Sequence, residues 1–318
     1  IYTLTFILLK IKKSRKLMVK LSSMKNFDRR KFIKTTSLSA AFASSSNLFS
    51  NRLRSPDQKY MGDFAAPKLD IIKIALIGVG YRGQGHIKRF GSFPNTKIVA
   101  ISDLHETNIS KSLSIIDNLK TSKSHTNLKT YYGNKDKWRL MLKETNADIV
   151  VISTDWDTHG IMAIETMKNN MHAFVEVPLA NTIKELWEIV NTSEKFQKHC
   201  MMMENVNYGR EELMFLNICR KGLLGELYHG EAAYIHDLRW QMYEEEIGTG
   251  SWRTLQYEKK KGNLYPTHGL GPVSQYMNLL RTDDTFKTLI SLSSPALGRE
   301  KFARENFDYM FLDTPPIG

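Results

Sequence analysis

Thirteen consecutive residues, Lys73-Ile-Ala-Leu-Ile-Gly-Val-Gly-Tyr-Arg-Gly-Gln-Gly85, constrain this chain more than any other stretch. A short apolar strand runs straight into Gly78-x-Gly80-x-x-Gly83. In such a turn the first glycine permits the tight bend, the second lets backbone approach a pyrophosphate, and the third lets helix pack on strand. The phosphates then meet the N-terminus of the following helix, expected to begin near Gln84, where free N–H groups and the helix dipole favour anions. A glycine-rich turn alone is a weak signal, and its context strengthens it. A second β-rich run, Lys97-Ile-Val-Ala-Ile-Ser-Asp103, ends in an acid twenty residues after Gly83. A carboxylate at that place accepts hydrogen bonds from an adenosine ribose. No arginine directly follows Asp103, and the carboxylate repels a 2′-phosphate, so the expected dinucleotide is NAD rather than NADP.

The pattern beyond this motif points the same way. Strands are expected at Ile74–Ile77, Ile98–Ile101, Ile149–Ser153 and Ala173–Val177. Helices are expected at Gly85–Gly91, Glu106–Leu119, Asp136–Glu144, His159–Asn169 and Thr182–Lys198. Alternation of this kind predicts an α/β fold, a Rossmann-type doubly wound parallel sheet. Ligands bind outside the carboxyl ends of its strands, where Asp103, Asp155–His159 and Glu176 fall. Met201–Asn205 reads as a further strand and Glu211–Lys221 as a helix. From Gly225 β-residues dominate, which predicts an α+β open-sheet second domain forming the other wall of the site. The expected division is a leader at 1–54, a linker at 55–70, an NAD-binding domain at 71–200 and a substrate-binding domain at 201–318.

Charge excludes one class of partner. The chain carries a net charge of +12, but residues 1–54 hold 13 basic residues and one acid, leaving 32 of each sign in the remainder. The basic excess therefore belongs to the leader, and a nucleic-acid partner is not expected. Asp28-Arg29-Arg30-Lys31-Phe32-Ile33-Lys34 resembles a twin-arginine export signal and is followed by a Ser/Ala-rich stretch from Thr35 to Phe49. The expected destination is the bacterial periplasm, reached by a pathway that moves folded proteins. A disordered basic tail is the alternative. Met24 stands where such a signal would start, so residues 1–23 are read as an over-extended frame. The apolar run Leu4–Leu9 is too short to span a bilayer, and no membrane span is expected. Cys200 and Cys219 suggest neither a disulfide framework nor a metal site.

The densest cluster of chemistry-bearing residues is Tyr234, His236, Asp237 and Arg239, then Arg253, then Asn263-Leu-Tyr265-Pro266-Thr267-His268-Gly269. Tyr265 and His268, three apart and held by Pro266, offer two proton-transfer groups on a constrained backbone. Arg253 offers a fixed fork of donors for sugar hydroxyls or an amide carbonyl. Each of these residues also has an ordinary structural use.

The segment from Lys73 to about Phe307 resembles the Gfo/Idh/MocA oxidoreductase superfamily. Within it, the chain is most similar to glycoside hydrolase family 109, NAD-dependent α-N-acetylgalactosaminidases. The residues carrying the likeness are Ile-Gly-Val-Gly-Tyr-Arg-Gly (77–83), Trp156-Asp-Thr-His159, Glu176-Val177-Pro178 and Glu204-Asn205-Val-Asn-Tyr-Gly-Arg210. The more specific blocks are Gly-Glu-Ala-Ala-Tyr-Ile-His-Asp-Leu-Arg (230–239) and Gly-Asn-Leu-Tyr-Pro-Thr-His-Gly-Leu-Gly-Pro (262–272). The resemblance implies cofactor contacts from Gly78, Gly80, Tyr81, Arg82, Gly83, Asp103, Trp156, Asp157, Thr158, His159, Glu176, Val177 and Asn205. It implies substrate contacts from Tyr234, Arg253, Tyr265, Pro266, Thr267 and His268, with Tyr265 and His268 as catalytic proton carriers and no metal.

The implied reaction oxidises the sugar at C3 with NAD⁺, removes the acidified C2 proton, expels the C1 leaving group, adds water and returns the hydride. Sugar dehydrogenases of the superfamily usually carry lysine at the middle of the Glu-x-Pro triplet; Val177 cannot transfer a proton, which favours the glycosidase. An NAD-dependent sugar dehydrogenase, needing some other base and net NADH release, is the alternative. A homo-oligomer is left open. Two departures stand out. The family loop is more often Pro-Trp-x-Trp-His, whereas this chain has Asp155-Trp156-Asp157-Thr158-His159, which puts the exact sugar in question. The chain also stops at Gly318 where family members continue into a part bearing a further substrate-facing tyrosine, so truncation is expected, and a catalytically dead binding fragment is a further alternative.

Overall fold

The computed structural model describes residues 57–62, 64–239, 252–253, 256, 265–280, 285–292, 295 and 297–306. The expected leader at 1–54 with its Arg29-Arg30 signal, and residues Asn263 and Leu264, lie outside the described residues.

Six strands, β1 (Ile72–Ile77), β2 (Thr96–Ser102), β3 (Lys129–Tyr131), β4 (Ile149–Ile152), β5 (His172–Val175) and β6 (Cys200–Met202), form one sheet. Its order is β3-β2-β1-β4-β5-β6, and every pairing is parallel. Parallel strands are covered on both faces, which is why they read as continuous apolar runs. Along β1 the side chains alternate between two cores. Ala75 and Ile77 face a cluster with Trp138, Met141, Met162, Met167 and Ile189. Ile74 and Leu76 face one with Ile87, Ile109 and Ile116.

The helices between the strands supply those partners: α1 (Tyr81–Gly91), α2 (Glu106–Asp117), α3 (Lys137–Glu144), α4 (Trp156–Lys168) and α5 (Ile183–Phe196). Thr182 starts α5 with a reciprocal capping box, its hydroxyl accepting from the Glu185 amide while the Glu185 carboxylate accepts from the Thr182 amide. The strand order reverses between β1 and β4, and the crevice over such a switch point is where doubly wound sheets bind ligands.

Differences from the sequence reading are local. Helix α1 begins at Tyr81 rather than near Gln84, because the motif glycines are themselves the turn and first helical residues. Strand β6 ends at Met202, where Glu204 instead caps a short 3-10 turn at Asn205–Tyr208. Three-residue β3 had no expectation at all. The C-terminal half contributes α6 (Arg210–Arg220), α7 (Thr267–Tyr276) and α8 (Leu297–Asn306). Among the described residues no strand follows Met202, and the β-like composition of 225–238 is irregular backbone. Part of that segment packs on α7, with Leu227 and Ala232 against Val273, Met277 and Leu279. No helix of the described residues is long and apolar enough to cross a membrane.

Candidate active site

At the carboxyl end of β1 the backbone turns on Gly78, whose φ of +79° lies in the region L side chains rarely adopt. Its amide donates to the Ser102 carbonyl at 2.8 Å, tying the turn to β2. A Cβ on Gly83 would sit 2.1 Å from the Gly78 carbonyl oxygen, so only glycine lets α1 approach this closely. The N-terminus of α1 has no side-chain cap and no acid in its first turn. Its free N–H groups and dipole are left to an outside anion. Asp103 stands beside them, its Oδ2 accepting from the Val79 amide at 2.8 Å and its Oδ1 from His105 N and Asn108 Nδ2 at 3.0 and 3.1 Å. At the end of β4 the buried Ser153 hydroxyl has no partner among the described residues. A glycine cradle, an uncapped helix end, a fixed carboxylate and an orphaned hydroxyl fit a dinucleotide.

These groups open into one cleft of about 1160 Å³. That exceeds the ~300–1,000 Å³ of a pocket for a single drug-sized ligand and leaves room for a second molecule beside a cofactor. Glu176, after β5, lies on its wall, with Oε1 2.6 Å from both Arg82 Nε and His86 Nε2. Burial alone would push this carboxyl up, but the His86 and Arg82 contacts outweigh it and hold the pKa below its ordinary value. His159 is buried beneath the cleft, with Nδ1 2.7 Å from the Pro178 carbonyl and Nε2 3.1 Å from that of Thr154. Burial dominates and pushes its pKa down against both carbonyls. A neutral ring donates from one nitrogen, and the shorter contact is the better hydrogen bond.

The facing wall is aromatic. Trp156 meets Trp252 and Tyr265 edge-on, with centroids 5.1 and 5.3 Å away. Tyr265 stacks on His268 at 5.4 Å and 12°. The stacking follows from placement: Tyr265 immediately precedes α7 and His268 lies in its first turn. The His268 amide donates back to the Tyr265 carbonyl at 3.3 Å. Arg253 Nε donates to the Tyr265 hydroxyl at 3.0 Å, and its guanidinium covers the Trp252 ring at 4.8 Å. Tyr234 lies 5.3 Å from Tyr265 and 5.1 Å from His268. Val177, 7% exposed, packs into this cluster with Trp156, Leu238 and Tyr265.

Residues 72–204 match the Gfo/Idh/MocA oxidoreductase family, NAD-binding Rossmann fold. Residues 208–310 match the glycosyl hydrolase 109 C-terminal domain. This second match and the curated relatives make the chain similar to glycosyl hydrolase family 109 proteins. It is 52% identical over 254 residues to glycosyl hydrolase family 109 protein 1 of Akkermansia muciniphila, covering 80% of this chain and 52% of that protein. It is 48% identical over 290 residues to an alpha-N-acetylgalactosaminidase of Shewanella oneidensis, covering 89% of this chain and 62% of that protein. The chain thus spans between half and two thirds of the curated relatives it matches. Among solved structures, a WlbA dehydrogenase from Bordetella pertussis in complex with NADH and UDP-GlcNAcA is 17% identical, with a TM-score of 0.43 over 51% of this chain and 44% of its own.

The cleft is lined by Gly78, Gly80, Tyr81, Arg82, Asp103, Trp156, Thr158, His159, Glu176, Val177 and Asn205, and also by Tyr234, Arg253, Tyr265 and His268. Four residues from the sequence reading stand behind its lining. Gly83 packs under the turn, and Pro266 and Thr267 start α7. Asp157 spends its carboxylate on Asn181 Nδ2 and Gln256 Nε2, at 2.6 and 2.8 Å. The sequence reading passed over His86, Trp252 and Glu204. His86 was readable only as a helical histidine, since its carboxylate partner lies 90 residues away. Glu204 stood within a quoted motif, and only its pairing with His268 reveals its use. No group of three or more metal-binding side chains occurs among the described residues.

Proposed function

We propose that the protein hydrolyses α-N-acetylgalactosaminides or closely related glycosides, with NAD as a resident cofactor that is not consumed. The observation that carries this reading is the Tyr265–His268 stack across the cleft from the glycine turn, with buried Val177 in place of a proton-transferring lysine. The name of the Shewanella oneidensis relative supports the same substrate.

The Gly78–Gly83 turn, Asp103 and the walls at Trp156 and Glu176 would hold NAD, which would supply reversible oxidation of a sugar carbinol. The chain's own side chains do the rest. Trp156, Trp252 and Tyr265 present aromatic faces and edges suited to the C–H face of a pyranose. Arg253 donates to the Tyr265 oxygen, so negative charge developing there is met by a guanidinium already in place. Tyr265 and His268 hold and move the protons at the sugar carbon and at the leaving oxygen.

A nitrophenyl α-N-acetylgalactosaminide assay on the full chain, with NADH absorbance followed alongside, tests the reading. Nitrophenol release without net NADH is expected, and it should be lost in Tyr265→Phe or His268→Ala. NADH accumulating on free sugar without nitrophenol would replace the glycosidase with a sugar dehydrogenase, and full turnover in both variants would remove the proton roles. The export signal belongs to the same proposal: Arg29→Lys with Arg30→Lys should keep the protein in the cytoplasm of fractionated bacteria.

A further inference from the structure

Glu204 is 1% exposed and touches two residues that line the cleft, Val206 and His268. It follows β6 and caps the 3-10 turn that begins at Asn205. Its Oε1 accepts from the Val206 amide at 3.2 Å and its Oε2 from the Asn207 amide at 2.8 Å. The same Oε1 makes a short contact with Nδ1 of His268, 64 residues away. Burial would raise the carboxyl pKa, but His268 and the amides of Asn207 and Val206 outweigh it and keep it below the ordinary value. An ionised carboxylate only accepts, so the nitrogen facing it must carry the proton.

We propose that Glu204 is a positioning residue that holds His268 in the Nδ1–H form, leaving Nε2 as the basic nitrogen presented to the cleft. The catalytic part rests on the function proposed above; the tautomer does not. With Nδ1–H fixed, Nε2 carries a lone pair. A proton arriving there makes an imidazolium whose charge the buried Glu204 carboxylate offsets. The same carboxylate fixes the turn carrying Asn205, so the proton-transfer group and a cofactor-side residue are registered to each other through one side chain. All three donors need acceptor atoms. Glu204→Gln supplies one oxygen and one NH₂ where two oxygens are required, so either the Asn207 amide or the His268–Val206 pair faces a donor.

The test is an ¹⁵N spectrum of the histidine-labelled full chain at about pH 9, where free imidazole is neutral, with His268→Ala assigning the signal. Wild type should show a protonated Nδ1 and an unprotonated Nε2 at His268. Glu204→Gln should lose that single form, and kcat should fall by about 10²–10⁴-fold, the span that general acid–base catalysis supplies, with KM within a few-fold. Glu204→Asp, which keeps the charge, should retain more kcat than Glu204→Gln. An Nε2–H form in wild type overturns the proposal even if the Gln variant does not fold. So does a folded Gln variant with an unchanged spectrum and kcat. An Nδ1–H wild type that cleaves no glycoside upholds the tautomer and sinks only the substrate reading.

Discussion

Gly83→Ala is the sharpest perturbation of the cofactor turn, because the added methyl meets backbone rather than a side chain that can swing away. Its Cβ would lie 2.1 Å from the Gly78 carbonyl oxygen and 3.0 Å from the carbonyl carbon. Ordinary contact begins near 3.4 Å, so the gap must open by about 1 Å or more. Gly78 cannot supply that movement: its amide is held on Ser102, and its own α-carbon faces the Ser153 carbonyl. The first turn of α1 must yield instead, while Ile87 farther along stays fixed in the core. Overpacking of this kind costs about 1–3 kcal/mol, which for a domain of this size lowers Tm by about 2–12 °C. Moving the helix end also lengthens its N–H contacts to the bound phosphates. Losing one charge-assisted hydrogen bond, worth about 1.5–3 kcal/mol, weakens NAD binding roughly 10- to 100-fold. Titration calorimetry with NAD⁺ and a thermal melt check both figures. Gly85→Ala is the matched control: its Cβ meets nothing within 4 Å, so helix propensity should stabilise it by up to about 1 kcal/mol without weakening NAD. A Gly83→Ala protein that binds NAD⁺ within twofold of wild type and melts at the same temperature would refute the close-approach argument.

His172 and Thr182 give two stability tests away from the cleft. Burial first, then repulsion from Lys198 and His199, brings the His172 pKa down to about 4. The folded state therefore binds fewer protons than the unfolded one between about pH 6.5 and pH 4. His172 leaves stability unchanged above that window, destabilises the fold progressively as pH falls through it, and destabilises it by a constant amount below. His172→Asn, which keeps an acceptor for the His199 amide, should flatten the Tm-against-pH curve across the window; an unchanged slope would contradict the assignment. Thr182→Ala removes half of the capping box on α5 and should cost about 1 kcal/mol, read as a Tm drop of about 2–4 °C.

How far each feature was legible depended on how local its cause is. The four long strands announce themselves because a sheet covered on both faces needs apolar residues at successive positions, as in Ile149–Ile152. Strand β3 has only Lys129, Thr130 and Tyr131 and sits at the sheet edge, so its sequence carries no such demand. The start of α1 was misplaced by three residues because glycines read as loop, although an N-terminal turn has no intrahelical donors to lose. Tyr265 and His268 were legible as a pair because their spacing is one helical turn. The Arg82–Glu176–His86 contacts and Glu204–His268 were not, since each joins side chains 64 to 94 residues apart. Nothing in a single sequence encodes such a meeting.

Val177 shows what that division implies for the chemistry. Its side chain is buried among Trp156, Leu238 and Tyr265 and carries no group that can take or give a proton. The end of β5 is therefore an apolar surface at the point where a dehydrogenase of this fold carries its proton shuttle. In the proposed reaction proton transfer falls to Tyr265 and His268 at the start of α7, and it must be registered to the cofactor by something that reaches both. Glu204 reaches both: its backbone follows β6, its carboxylate accepts from the amides of the turn bearing Asn205, and its Oε1 holds His268. In the proposed reaction the two features act together: Val177 leaves proton transfer to the start of α7, and Glu204 holds His268 in place for it.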